Sequence, residues 1–515
     1  MKNIYLILMV LIGTVFVSSC SDKLEEMNID EKHPTEVPGN YLFSNAQKAL
    51  ADQVASTNVN INNWKLWSQY WTETTYTDES NYDVVTRDIA SHKFRIYYRD
   101  ILKDLEQAKS LIGQENPIAD ADIIAKKNRL AIIDIIKAYA YQRLVDMFGN
   151  VPFTNAMDIE NISPAYDDAF TIYKTLIDQV NTALNDLDDT GGSFGSADLY
   201  YGGDVSMWKK FANTLKVKMG ITLADVDNGL AKSTIESAYD KGFAFGENCE
   251  MAYLGGINAN PLFQDLIQSG RHDFVAANTI VDAMNALDDP RRYPYFTKVD
   301  TSDNGVDDPV YLGGQYGHSS PYANFSHIPN TLTDAGDRLP SDADGSNIAD
   351  ATFPMVLLDY TELAFYLAEA AERGYSVGKG AEEWYNEGIK SSMNFWLGKH
   401  YGAADVDQMT NDYLAKPEVA YATAAGDWKQ KIGTQAWIAF YYRGFVGYTS
   451  YRRLDWPKMN TPPSPPQEIV DAGIPVPTRI TYPIAEQTLN ADNYYQASDA
   501  IGGDLLTTKI FWDKH

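Results

Sequence analysis

Apolar side chains recur every three or four residues along most of the chain, the spacing that gathers them on one face of a helix. Leu42 to Val54 is the first such stretch. Trp64, Trp67, Tyr70 and Trp71 follow at helical spacing as one aromatic face, for which packing into a core is the default expectation. Ala90 to Ile112 carries Phe94, Tyr97, Ile101, Leu105 and Leu111 on one stripe. Ala119 to Phe148 is longer. Ile133, Ile136, Ala140, Leu144 and Phe148 track its buried face, Asp134, Lys137 and Asp146 point elsewhere, and Gly149 stands where a helix stop belongs. Ala169 to Leu187 and Ser206 to Leu223 continue the pattern. In the latter, Trp208, Phe211, Leu215 and Met219 are predicted inward and Lys209, Lys210 and Lys216 outward.

A second helical set is predicted from Pro354, a residue suited to a first helical turn, through Leu357, Leu358, Phe365 and Ala368 to a stop at Gly374. A short loop leads to Ala381, Trp384, Tyr385, Ile389 and Phe395. Helix, Gly turn, helix, with Ala at close-packed positions, is the logic of a tetratricopeptide-like pair, although the period is irregular. Between the two sets, from Gly255 to Ala351, Gly, Asp, Asn, Pro and Tyr dominate and helical periodicity fades after Asp289. A long irregular insertion of this kind is usually functional. The run Thr461-Pro462-Pro463-Ser464-Pro465-Pro466 is predicted to be an exposed loop with polyproline character.

The N-terminus changes the setting. Met1-Lys2-Asn3 precedes an apolar run from Ile4 to Val17 that ends in Ser18-Ser19-Cys20. A short basic start, a brief apolar stretch and small residues before a cut site describe an export signal over residues 1–19. The run is too short to favour a membrane span. Its end resembles the lipobox of bacterial lipoproteins, with Cys20 the lipidated residue. The acidic Ser21-Asp22-Lys23-Leu24-Glu25-Glu26 that follows is similar to the surface-export signal of Bacteroidetes lipoproteins. Residues 20–40, polar and holding Pro34 and Pro38, read as a tether, and 41–515 as one domain with no dividing linker.

After cleavage Cys249 is the one cysteine besides Cys20, so no internal disulfide is available and the core must hold the fold. The net charge is −28, and −29 once Lys2 leaves with the signal. Such a chain is repelled by nucleic acid and anionic lipid. Catalytic patterns are missing: there is no P-loop, no Gly-x-Ser-x-Gly and no His-Glu-x-x-His. With 70 acidic residues, no pair of carboxylates is informative. His318 and His327 are too far apart for one helical turn, and no metal site or cofactor is expected. Asp300, Ser302, Asn304, Gly305 and Asp308 resemble the first half of a calcium loop, but Tyr311 occupies the place of the bidentate Glu, so an acidic turn is expected.

Aromatics in polar loops are the remaining candidate chemistry, since a flat ring covers the C–H face of a sugar while Asp, Asn and Arg bond its hydroxyls. Tyr76, Asp78, Asn81 and Tyr82 form one candidate ligand patch. Tyr316, Tyr322, Phe325 and Arg338, in the insertion with Tyr311, form the other. Loop packing is the competing role for these rings.

Several blocks, in order along the chain, resemble the SusD/RagB family of outer-membrane nutrient-binding lipoproteins, in particular its SusD-like second subfamily. They are Ala138-Tyr139-Ala140-Tyr141-Gln142-Arg143 with Asp146-Met147-Phe148-Gly149-Asn150-Val151-Pro152, and Trp208-Lys209-Lys210-Phe211-Ala212-Asn213. Asp289-Pro290-Arg291, Glu362 with Leu367-Ala368-Glu369-Ala370-Ala371, and Gln435-Ala436-Trp437 follow. Tyr451-Arg452-Arg453, Ile474-Pro475-Val476-Pro477-Thr478-Arg479, Tyr482-Pro483 and Asn493-Tyr494 complete the set. The resemblance implies an all-α single domain on tetratricopeptide-like helix pairs. It implies a lid-like partner of a SusC-like TonB-dependent transporter that binds oligosaccharides, or in some members peptides, without catalysis. It carries over no ligand-contacting residue, because those loops differ among relatives.

Overall fold

In the computed structural model the described residues are 37–299, 310–329 and 348–515. Cys20, the calcium-like loop from Asp300 to Asp308 and Arg338 lie outside them. The fold is all-α. Among the described residues, strands are short and come in antiparallel pairs: β1 (Trp71–Glu73) with β5 (Phe274–Ala276), β2 (Val151–Pro152) with β3 (Tyr166–Asp167), and β4 (Asn248–Met251) with β6 (Met355–Asp359). No described helix is long and apolar enough to cross a membrane.

The predicted helices form close to their expected limits. Gly39–Ala55 begins within the stretch read as tether. Ile89–Arg95 runs through a π-helical Ile96–Leu102 into Lys103–Gln114. Asp120–Phe148 ends at Gly149, whose φ of 84° no side chain accepts easily. It packs along Ala169–Asp186, as Val205–Thr222 does on Asn228–Glu236 and Tyr360–Glu372 on Ala381–Leu397. Two of these pairs need a missing Cβ. One built on Gly220 would meet Ile235 at 2.7 Å, and one on Gly388 would meet the Phe365 ring at 2.9 Å. The Tyr360–Glu372 and Ala381–Leu397 pair is the helix–Gly turn–helix unit expected from the sequence, and the pairing of Val205–Thr222 with Asn228–Glu236 was not foreseen.

Four expectations are corrected. The aromatic face does not continue as helix: Trp64–Trp67 is a single turn, Gln69 turns the chain at φ 55°, and Trp71 opens β1, although all four rings are buried. Pro354 precedes a strand. The helix starts at Tyr360, where the Asp359 carboxylate accepts the Glu362 N–H at 2.8 Å. Lys216 is buried and donates to Ser237 Oγ at 3.0 Å. Asp146 is fully buried and accepts from the Tyr173 hydroxyl and the Trp512 indole N–H. In both of the last two cases the partner comes from another element, which periodicity within one helix does not show.

The core is threaded by paired charges. The Glu362 carboxylate takes Lys218 Nζ at 2.9 Å and Arg443 Nη1 at 2.6 Å, and Arg443 also reaches Asp359 at 3.0 Å. Burial pushes the Glu362 carboxyl up, but the two cations outweigh it and hold the group below its ordinary range. Glu369 takes Arg453 at 2.7 Å and Arg373 at 3.1 Å. Arg291 forks onto Asp289, and Arg479 joins Asp504 to the Phe148 carbonyl. A buried charge needs such partners, and removing one strands the other.

Trp208 is fully buried between Tyr201 and Phe211, and its indole N–H donates to Asp198 at 2.7 Å. Trp208→Ala is expected to destabilise by roughly 3–5 kcal/mol, the range for emptying a large ring from a core. Trp208→Phe, which keeps a ring and loses the hydrogen bond, should cost less. Chemical denaturation checks both, and equal losses would mean that ring packing contributes little there.

Candidate ligand-binding cleft

β1 leads into the stretch Thr74-Thr75-Tyr76-Thr77-Asp78-Glu79-Ser80-Asn81-Tyr82, whose Thr, Asp, Ser and Asn favour turns over regular structure. Its start is fixed from two sides. Thr74 Oγ1 donates to the His272 carbonyl at 2.7 Å, and the Thr74 carbonyl accepts from Ser319 Oγ at 2.7 Å and the Ser320 N–H at 3.1 Å. Beneath it lie two buried carboxyl groups. Glu73 accepts the Ser80 N–H at 2.9 Å, and Glu79 pairs with Arg87. Burial, a hydrogen bond to Glu79 and the Glu79 charge push the Glu73 carboxyl up to about 9. At neutral pH Glu73 therefore keeps its proton and donates it to Glu79, whose second oxygen has no other donor. The pair closes the loop on itself, with Tyr76 left outside, 66% exposed.

Tyr76 stands on the rim of a cleft of about 270 Å³. The cleft is lined by Asn58, Asn60, Glu73, Arg87, Arg271, Asp273 and Phe274. Asp265 fixes the Asn58 side by accepting from Ser56 Oγ at 3.2 Å and the Thr57 N–H at 3.0 Å. Arg271 forks onto Asp273 through Nε and Nη2. One exposed ring, two amides and two guanidinium groups around a polar hollow can cover a sugar face and bond its hydroxyls.

The other expected site residues are distributed differently. Asp78, Asn81 and Tyr82 face a second hollow of about 590 Å³ on the far side of the loop, walled by Pro463, Pro465 and Pro466. Asn81 is fully engaged, donating to the Thr77 and Gly317 carbonyls and accepting the Ser464 N–H. Tyr82 is corrected from a ligand ring to a packing element: it is fully buried, edge-on to Trp67, with its hydroxyl on the Pro475 carbonyl at 2.6 Å. Tyr316 is buried beside it, 6.4 Å between ring centres, and the same correction applies. Tyr322 has a ring over each face, His272 at 4.1 Å and His327 at 4.2 Å, so it serves as the middle of a stack. His272 is its exposed outer member. Phe325 is half-buried, as is Tyr311, which lies under Arg292 and Lys298. No group of three or more metal-binding side chains occurs among the described residues.

Sequence reasoning missed Asn58, Asn60, Arg271, His272 and Asp273. The polar Asn58-Val59-Asn60 between two helical patterns and the turn Gly270-Arg271-His272-Asp273 were the available signals.

A family profile described as "Starch-binding associating with outer membrane", the SusD-like second subfamily, matches residues 31–483. Among solved structures, one titled a chitin-binding protein is 25% identical, with a TM-score of 0.75, covering 93% of this chain and 100% of that one. A SusD homologue from Bacteroides uniformis is 22% identical, with a TM-score of 0.73, covering 92% and 100%. A chitin-binding SusD homologue from Flavobacterium johnsoniae is 22% identical, with a TM-score of 0.71, covering 92% and 98%. A search of curated proteins finds no match.

The Glu73 proton generates a signed prediction. Folding raises this group from an ordinary 4.5 to about 9, so the folded chain holds a proton that the unfolded chain releases. Its contribution to stability is full below about pH 4.5 and is lost as pH rises toward 9. Glu73→Gln, which keeps a neutral donor, should match the parent at pH 4 and exceed it by a margin that grows as pH rises to 8. Denaturation curves across that range check it, and a constant difference at every pH would contradict the shared proton.

Proposed function

Because the chain belongs to the SusD-like family, described as starch-binding in association with the outer membrane, we propose that it is a non-catalytic surface lipoprotein that captures oligosaccharides. It delivers them to a SusC-like TonB-dependent transporter and is held to the outer membrane by lipid on Cys20. The observation that carries this reading is the exposed Tyr76 ring at the edge of a polar cleft made of loops, on a scaffold fixed by buried ion pairs. The similar structure at 25% identity is titled a chitin-binding protein, which makes N-acetylated glycans the first ligands to try.

Each sugar hydroxyl exchanges a bond to water for a bond to protein, so the net gain per contact is small and the ring contributes most. On a glycan array the protein should retain a family of related oligosaccharides and release them unaltered. Titration with the best of them should weaken at least tenfold for Tyr76→Ala and little for Asp78→Asn. Retention of peptides alone, or cleavage of the glycan, would overturn the reading.

The membrane arrangement is tested separately. Gentle detergent extraction should co-purify a large outer-membrane barrel, since closing a transporter buries well over about 1,000 Å². Cys20→Ala should release the folded chain in soluble form. A parent protein that always elutes alone, or a variant that stays with membranes, would contradict it.

A further inference from the structure

Three neighbouring cationic side chains share one part of the core with no carboxylate bonded to any of them. Lys65, Lys93 and Arg143 are 3%, 0% and 2% exposed, and among the described residues none forms an ion pair. Elsewhere in the core Lys218, Arg291, Arg443, Arg453 and Arg479 each meet an acid, while Arg452 rests on two backbone carbonyls and Lys216 on the Ser237 hydroxyl. The three come from different elements: the Trp64–Trp67 turn, the Ile89–Arg95 helix and the Asp120–Phe148 helix. Lys65 Nζ donates to the Ala55 and Ser56 carbonyls at the end of the Gly39–Ala55 helix, and Lys93 Nζ to the Ile61 carbonyl. Arg143 Nε donates to the Tyr97 hydroxyl at 2.8 Å. Those dipoles offset part of the charge and leave all three without a counterion.

Contacts around the Trp64 ring bring Lys93 and Arg143 together, and Lys65 is the next residue along the chain. Lys93 Nζ lies 4.5 Å from its centre, and Phe445 packs on it at 4.8 Å while carrying the Arg143 guanidinium at 4.5 Å. Trp67 stands edge-on to Trp64 at 5.4 Å. In this neighbourhood the Trp64 and Trp67 indole N–H groups, Arg143 Nη1 and both ends of the Asn63 amide are buried without a hydrogen-bond partner. Buried polar groups are nearly always bonded, and such a group commonly marks a bound water or ion. Here the unpartnered groups are mainly donors and the surrounding charge is positive, which is the environment of an anion.

We propose that this part of the core binds one small inorganic anion, chloride in particular, held by Lys65, Lys93 and Arg143 and by the Trp64 indole N–H. Burial drives the Lys65 ammonium down to about 7 against the distant Asp265 carboxylate, which opposes the shift, and the neighbouring Arg143, which adds to it. An anion lifts that cost. The site is one residue from the ligand cleft, since Lys65 bonds the Ser56 carbonyl and the Ser56 hydroxyl bonds Asp265 in the cleft wall. A filled site therefore steadies the Asn58 side of the cleft.

The test uses the full chain in detergent, exchanged into sodium gluconate and titrated with sodium chloride or bromide at fixed ionic strength. The melting temperature is expected to rise and saturate with halide. Bromide-soaked crystals should give one anomalous peak between Trp64 and Arg143. Lys93→Met should weaken the halide response at least tenfold, and Lys209→Met, on the surface, should leave it unchanged. The bromide peak in the parent protein decides independently of whether Lys93→Met folds. Equal melting in gluconate and chloride, or water density in place of the bromide peak, would overturn the proposal.

Discussion

A carboxylate with no access to water must be bonded where it stands, and Glu362 sets this condition at the centre of the molecule. It is held by Lys218 from one helix and by Arg443 from the segment entering another. Arg443 is shared with Asp359, which also caps the helix that carries Glu362. Three elements are thereby fixed to one point. Sliding any of them by a turn would leave a bare charge in the core, at a cost of about 3–5 kcal/mol. Glu369 with Arg453, Asp289 with Arg291 and Asp504 with Arg479 repeat the condition further out. Such pairs are weak as net stabilisers and strong as locators. They define one register for the helices, and the connections are left free to vary.

The cleft uses that freedom. Tyr82 packs into the core at Trp67 and Pro475, and the Glu73–Glu79 pair draws the preceding stretch down. Tyr76, six positions earlier, is what remains outside. A ring displayed by a loop whose base is this well fixed loses little conformational freedom on binding, which favours affinity for a weakly bonding ligand. The opposite rim is built from the turn before β5, and the pairing of Glu73 with Phe274 sets the distance between the two rims.

Much of this was legible in the sequence. Helices with one apolar stripe announced themselves, and the blocks that resemble SusD proteins are largely the buried charges and their neighbours: Asp289, Arg291, Glu362, Glu369, Arg453 and Arg479. Strands were illegible. Met355-Val356-Leu357-Leu358 is an unbroken apolar run that reads equally as the start of a buried helix, and only its pairing with β4 decides. Lys216 and Asp146 looked like surface residues because Ser237, Tyr173 and Trp512, which satisfy them, are distant in sequence. Tyr76 and Tyr82 belong to one polar loop with the same local character. What separates them is Pro475, almost four hundred residues downstream, which accepts one hydroxyl and not the other.

The central claim is that the loops beside β1 and β5, held by this scaffold, form the ligand site. A crystal structure with the tightest-binding oligosaccharide tests it most directly. The account predicts sugar density against the Tyr76 ring, with hydroxyls within bonding distance of Arg271 and of Asn58 or Asn60. Density in the proline-walled hollow beside Asp78, with the Tyr76 cleft empty, would contradict it.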